Sequence, residues 1–296
     1  MSGLFVSSGA TRNRTGDTRI FSPLLYQLSY STNRAANVNK NSICENKSTP
    51  FPFLIFALTV KKVKLIIDQG NTQTKLALFQ QKELLKKAIV REESQLKEWE
   101  GKSSSVILSS VGDASVINEC LEKMPLLLNA ATKLPVVNQY HTPETLGNDR
   151  IAGAIGASAL FPKNPVLVID AGTCITIDLL TKEGYQGGSI APGIHMRLQS
   201  LCQQTTNLPL VSVVSETALV GKNTNQSIQS GVINGVLAEI DGMIDRYKSN
   251  FSNLKVLVTG GDYSVFDKGL KNSIFADPDL VLKGLNEILD YNEAIS

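Results

Sequence analysis

Two short stretches of this chain have the same make-up and limit the folds it can adopt. Asp68-Gln69-Gly70-Asn71-Thr72-Gln73-Thr74-Lys75 follows the apolar run Val63 to Ile67 and precedes Leu76 to Phe79. Asp170-Ala171-Gly172-Thr173 follows Val166 to Ile169 and precedes Ile175 to Leu180. Each reads as a strand, a polar turn and a returning strand. Positions 68 and 170 are 102 residues apart, about the length of one small α/β domain. The chain therefore reads as two related halves, with the two turns facing each other across a cleft. Either turn alone is equally an ordinary Gly-containing hairpin turn.

The turn chemistry suits a bound phosphate. Gly70 lets the backbone approach closely, Asn71 and Thr72 supply amide and hydroxyl donors, and Lys75 adds positive charge. Asp68, at the end of its strand, could face a metal-bound phosphate. No G-x-x-x-x-G-K-[ST] occurs, so a Walker-type loop is excluded. Thr259-Gly260-Gly261-Asp262, between a strand and a helix, is a third glycine turn whose amides are free for an anion or adenosine.

The rest of the chain fits this frame. Val63 to Ile67, Thr74 to Phe79 and Glu83 to Val90 form an antiparallel meander. Glu92 to Glu100 is a polar helix, Val106 to Ser109 a buried strand and Ala114 to Lys123 a crossing helix. Leu134 to Val137 is expected as a further short strand, followed by the polar loop Asn138 to Asn148 and a small-residue helix from Asp149 to Leu160. The second half repeats the scheme with Val166 to Ile169, Cys174 to Leu180 and Tyr185 to Ile190. A helix then opens at Pro192-Gly193, a long helix runs from Asn225 to about Ser249, and the strand Val256 to Val258 and the closing helix Leu280 to Leu289 follow.

Composition narrows the class. The chain is 42% hydrophobic and 19% charged, as in ordinary globular proteins, and its net charge of +2 makes no case for a nucleic-acid surface. Cys44, Cys120, Cys174 and Cys202 are far apart, with no C-x-x-C pair, and there are two histidines. That argues against a zinc or disulfide framework and for a reducing cytosol. Cys174 adjoins the second turn and reads as a small buried thiol or a reactive one. Residues 1 to 62 are rich in Ser, Asn and Thr and are expected to be disordered or mis-annotated. Gly9 to Tyr30 resembles the conceptual translation of a transfer-RNA gene, which would put the native start near residue 60. The run Phe51 to Val60 is too short to span a membrane.

Between the halves lies Tyr140 to Arg150. Asp149 just before an alanine-rich helix reads either as an N-cap, with Arg150 solvated, or as a base. In the second reading Asp149 takes the proton of an attacking hydroxyl and Arg150 meets a substrate carboxylate or phosphate. His141 has the weaker claim, as polar surface.

The outline of meander, helix, strand, helix, twice over, resembles the duplicated actin-like (ribonuclease H-like) fold, with mixed sheets flanked by helices and an ATP cleft between 63–160 and 161–296. The motifs are more specific. Asp68-x-Gly-Asn-Thr-x-x-Lys75, Gly147-x-Asp-Arg150, Asp170-x-Gly-Thr173 with Thr176 and Asp178, Gly187-Gly188-x-Ile-x-Pro-Gly193, Gly221-x-Asn-Thr224 and Thr259-Gly-Gly-Asp262 together resemble type III pantothenate kinase across residues 63 to 290.

The resemblance implies ATP-dependent phosphorylation of pantothenate to 4'-phosphopantothenate by a cytoplasmic homodimer, the first step of coenzyme A biosynthesis. It implies ATP contacts at Asp68, Gln69, Gly70, Asn71, Thr72, Gln73, Thr74, Lys75 and Thr173, with Mg2+ at the Asp68 loop. Pantothenate contacts would come from Tyr140, Gly147, Asn148, Asp149 and Arg150, with Asp149 as proton acceptor, and from Thr224 of the neighbouring subunit. Asp170 would hold a monovalent cation, K+ or NH4+. Gln69 and Cys174 depart from the small or aliphatic residues usual there. The competing expectations are another small-molecule kinase of the same superfamily and a non-catalytic regulator, which should have lost the carboxylates.

Overall fold

The computed structural model describes residues 62–112 and 114–296, and the expectations for the N-terminal extension lie outside the described residues. Strands β1 (Val63–Gln69), β2 (Thr74–Gln80) and β3 (Glu83–Ile89) form the first meander. Strands β4 (Ser105–Ser110) and β5 (Leu126–Leu127) run parallel to β1 on its other side, giving the order β3-β2-β1-β4-β5. The second sheet holds β6 (Val166–Ala171), β7 (Cys174–Thr181), β8 (Gly184–Pro192), β9 (Lys255–Thr259) and β10 (Phe275–Ala276), in the order β10-β9-β6-β7-β8. Read from the meander edge, the two orders are the same. The duplication expected from the paired turns is thus a duplication of topology, in the actin-like manner.

Alternation along the strands sorts their side chains between two faces. On the first sheet, Leu65, Ile67, Leu76, Leu78, Val106 and Leu108 point outward. There they meet Leu96 and Trp99 of α1 (Ser94–Glu100) and Ile117 of α2 (Ser115–Cys120). On the second sheet, Leu167, Ile169, Ile175, Ile177, Val256 and Val258 point outward. They are covered by α4 (Ile194–Gln204), α5 (Thr224–Asn250) and α6 (Tyr263–Gly269).

The inner faces share one core. Ile66, Ala77, Phe79 and Ile107 of the first sheet and Val166, Val168, Leu180 and Leu257 of the second enclose α3 (Asn148–Leu160) and α7 (Leu280–Ile295). Helix α3 lies chiefly on β6 and β7, while α7, from the end of the chain, returns to β1 and β4. Buried Lys64 of β1 pairs with Asp290 of α7, and Lys87 of β3 reaches Asp279 just before α7 at 2.7 Å. Where α3 and α7 cross, neither backbone leaves room for a side chain. A Cβ on Gly156 would lie 2.5 Å from the Leu280 carbonyl oxygen, and one on Gly284 would overlap the Ala152 carbonyl.

Some local expectations fail. Leu134 to Val137 is not a strand: Pro135 has no N–H to give a ladder, and the nearest sheet-like pairing is an isolated bridge one residue on, Asn138 to Tyr185. The crossing helix is shorter than Ala114 to Lys123. The two-residue strands β5 and β10 were not foreseen, being too short to show a period, and the helix after the third glycine turn is the seven-residue α6.

Replacing Gly284 by alanine should cost about 3 kcal/mol, the upper end for overpacking a filled interior, because backbone rather than a flexible side chain must yield. Denaturant unfolding would show this as a lower midpoint at unchanged slope.

Candidate active site

Both inner-face strands end in a carboxylate, and the turns beyond them meet. Asp68 lies at the end of β1, opposite Lys75 of β2, and Asp170 lies at the end of β6, opposite Thr176 of β7. Gly70 N–H closes the first turn onto the Gln73 carbonyl at 3.0 Å, and Gly172 N–H closes the second onto that of Cys174 at 3.0 Å. Thr72 Oγ1 and Thr173 Oγ1 stand 3.4 Å apart, so the hairpin tips face each other as the sequence led us to expect. Asn71, Thr72, Gln73 and Thr173 are exposed there, while Thr74 and Lys75 are half-buried. Gln69 turns aside, its Oε1 accepting from the Ser110 hydroxyl at 2.9 Å. Cys174 is half-buried.

The first turn of α3 supplies the third carboxylate. Gly147, not Asp149, is the N-cap, so the capping alternative for Asp149 does not hold. Asp149 Oδ1 instead accepts the Arg150 N–H at 2.8 Å, and a Cβ on Gly147 would lie 2.6 Å from that oxygen. Only a glycine leaves the carboxylate its place. Asn148 donates to the carbonyls of Ser110 and Leu128 at 3.1 and 2.9 Å.

Arg150 is not solvated. It is 7% exposed, and its Nε and Nη2 donate to the carboxylate of Asp178 on β7. Tyr140 presents its ring to Arg150, with the guanidinium carbon 5.8 Å from the ring centroid. His141 is exposed. Asp178 and Tyr185 carry this network and were given no role in the sequence reading. The available signal was a charged residue on the inner face of an otherwise apolar strand.

Burial governs the electrostatics. It pushes Asp68 up to about 6, opposed by Lys75 and reinforced by the charge of Asp149. It pushes Asp170 up to about 7, with Asp149 adding to the rise and Lys75 opposing it. Asp149 is also raised, first by burial, with the Arg150 N–H pulling the other way. The charges of these buried carboxylates repel one another, so positive charge nearby favours their ionised forms, although among the described residues no three acidic, His or Cys side chains are grouped closely enough to hold a metal by themselves.

The donor set fits hard cations. Asp170 faces Thr176, whose buried hydroxyl has no hydrogen-bond partner. Magnesium needs only one or two carboxylates beside substrate phosphates, which Asp68 can supply. The third glycine turn closes on the same place. Gly260 has φ +93°, Asp262 N–H donates to the Ala171 carbonyl at 2.9 Å, and a Cβ at Gly260 would collide with Asp170. Thr224, by contrast, opens α5 on the surface, lining an open cavity of about 570 Å³ with Arg197, Leu201 and Ile228, apart from the carboxylates.

The chain is similar over most of its length to known proteins. Residues 64–246 match the sequence model of the family described as type III pantothenate kinase. A protein of that name from Christiangramia forsetii is 43% identical over 241 residues, covering 78% of this chain and 99% of its own. Another from Bacteroides fragilis is 45% identical over 241 residues, covering 78% and 98%. Among solved structures, a Campylobacter jejuni protein described as a Baf family transcriptional activator is similar with a TM-score of 0.55. It is 22% identical and covers 78% of this chain and 99% of that one, a likeness of fold alone.

The raised carboxylates set a direction for stability. A carboxyl that binds its proton more tightly when folded stabilises the fold below the unfolded value near 3.8, and that contribution is lost as pH rises through about 6 for Asp68 and about 7 for Asp170. The ligand-free protein should therefore melt at progressively lower temperature between about pH 4 and pH 7. Asp170→Asn should flatten that decline, as measured by thermal unfolding across the range.

Proposed function

The chain belongs to the type III pantothenate kinase family, and we propose, on that premise, which of its residues carry out each part of the reaction. It phosphorylates pantothenate with ATP, the entry step of coenzyme A biosynthesis. The observation that carries the residue-level reading is that Asp68 and Asp170, at the strand ends beside the two facing hairpin tips, both feel the charge of Asp149 from the first turn of α3.

The two tips are the nucleotide side. Asp68 to Lys75 holds the ATP phosphates through turn amides and hydroxyls, with Lys75 offsetting their charge, and Thr173 adds a contact from the opposite tip. Magnesium at Asp68, when bound, neutralises charge on the phosphates. Asp170 would hold a monovalent cation, potassium or ammonium, whose charge would favour the ionised carboxyl, and the Thr176 hydroxyl, which has no hydrogen-bond partner, supports that reading.

The acceptor side is Tyr140 with Gly147 to Arg150. Asp149 takes the proton of the primary hydroxyl as the new O–P bond forms and the bond to the ADP oxygen breaks. Little more is required of the protein than alignment and charge balance. Burial holds Asp149 above the ordinary carboxylate value, closer to working pH, which suits a base. Asp178 takes up Nε and one N–H of Nη2 of Arg150, so a substrate contact by that residue falls to Nη1 or the second N–H of Nη2.

Thr224 completes the acceptor site from the second subunit of a homodimer. The apolar stretch before it supports this, since Leu219 and Val220 are 81% and 72% exposed. The enzyme works in the cytosol, where its ATP is. Neither competing reading is favoured: the acceptor loop is intact against another kinase, and the three carboxylates are intact against a regulator.

An ADP-release assay with and without pantothenate, in potassium and in sodium, tests the reading. Release should require pantothenate and be faster in potassium, and Asp149→Asn should lower turnover roughly 10²- to 10⁴-fold. Pantothenate-independent release would reject the substrate, and near-normal turnover of Asp149→Asn would reject the base. Subunit exchange tests the dimer. Inactive Asp149→Asn mixed with impaired Thr224→Val should regain activity, because one site of each mixed dimer is then intact; if Thr224 served its own subunit, mixing would restore nothing.

A further inference from the structure

Residues 148, 149 and 150 occupy successive positions in the first turn of α3, and their side chains take separate courses. Asn148 is tied to the first sheet through the Ser110 and Leu128 carbonyls. Arg150 is tied to the second sheet: Nε donates to Asp178 Oδ1 and Oδ2 at 3.0 and 3.2 Å, and Nη2 to Oδ1 at 2.7 Å. Asp149 lies between these two anchors.

Asp178 does more than pair with one arginine. Tyr185, fully buried on β8, donates its hydroxyl to Asp178 Oδ1 at 2.6 Å. The Tyr185 ring packs against that of Tyr140, centroid to centroid 6.2 Å, while Tyr140 also faces the Arg150 guanidinium. The backbone repeats the link, with Tyr185 N–H donating to the Val137 carbonyl at 2.9 Å and Gln139 N–H to that of Tyr185 at 3.0 Å. The loop carrying Tyr140 and the helix turn carrying Asp149 thus both refer to one buried carboxylate. As a pure stabiliser an ion pair this deep is a poor choice, because desolvating both ions costs about as much as their attraction returns, and apolar residues of similar volume often do as well. Its geometry accounts better for its presence than its energy does.

We propose that Asp178, with Tyr185 as its hydroxyl partner, is the positioning centre of the acceptor half of the site. It fixes Tyr140 and Arg150 and, together with Asn148, pins the first turn of α3 to both sheets, so that Asp149 keeps its station relative to the hairpin tips. The inference rests on Asp149 being the base and deepens that reading. Asp178 makes no hydrogen bond to either hairpin tip, so its loss acts on the acceptor and on turnover while ATP binding survives.

The test compares full-length wild type, Asp178→Asn and Tyr185→Phe in ADP release, with ATP and pantothenate varied separately and thermal unfolding recorded alongside. In Asp178→Asn an amide N–H₂ replaces a carboxylate oxygen among donors and cannot accept at that position. We expect kcat/KM for pantothenate to fall about 10- to 100-fold, the scale of a misplaced catalytic group, with KM for ATP within about twofold of wild type. Tyr185→Phe keeps the ring and loses one bond, and should show the same split at about 3- to 10-fold. Equal losses in the ATP and pantothenate parameters, or unchanged pantothenate kinetics in Asp178→Asn, would overturn the proposal. Should Asp178→Asn not fold, Tyr185→Phe decides: the same split supports the proposal, and wild-type kinetics overturn it. Failure of the wild type itself to use pantothenate would instead remove the reading beneath it.

Discussion

The backbone crossing of α3 and α7 at Gly156 and Gly284 is the contact on which the other arrangements depend. It lets the two helices share one layer between the sheets, and each helix packs mainly on the sheet built by the other half of the chain. Their small residues are therefore not weak core. Ala152, Gly153, Ala154, Gly156 and Ala157 are all buried, and their low volume is what allows the sheets to come close enough for the hairpin tips to touch. Ion pairs add direction more than energy: Lys82 with Glu287 and Lys87 with Asp279 are partly exposed pairs of the kind worth under about 1 kcal/mol. Lys64 with Asp290 is buried on the lysine side and fixes where α7 lies along β1.

From that crossing the site follows. The first turn of α3 is tied to both sheets through Asn148 and Arg150, and the charge of its Asp149 reaches Asp68 and Asp170 near the ends of β1 and β6. Burial then does chemical work. It raises all three acids above their ordinary values, so a cation or a basic group beside them favours their charged forms. Lys75 gives part of that help within the protein. The remainder is what a nucleotide with its metal brings, and the tendency of the site to gather positive charge is already present in the unliganded chain.

Much of this was legible in the sequence, for definite reasons. The hairpins announced themselves because a buried strand that ends in Asp-x-Gly combines a period, a turn residue and a charge in a few adjacent positions. The small-residue helix was visible in its composition, and the order of motifs along the chain was enough to identify a family. What stayed hidden depended on distant partners. Arg150 reads as a first-turn residue until Asp178, 28 positions away, is seen to hold it. The exchange of α3 and α7 between the sheets leaves no local mark, since an amphipathic or small-residue pattern tells that a face is buried but not against what. Leu134 to Val137 misled because its apolar character is genuine. The residues are used as packing, with Pro135 interrupting any ladder.

The return of α7 to the first sheet also bears on how the protein comes to exist during synthesis. Residues 280–295 cover the inner face of strands that leave the ribosome more than 150 residues before them. At roughly 5–20 residues per second, that face waits many seconds without its own helix, a period in which exposed apolar strands invite association with other chains. The first sheet cannot complete its inner face before α7 is made, and a chain cut within α7 lacks part of the core that holds β1.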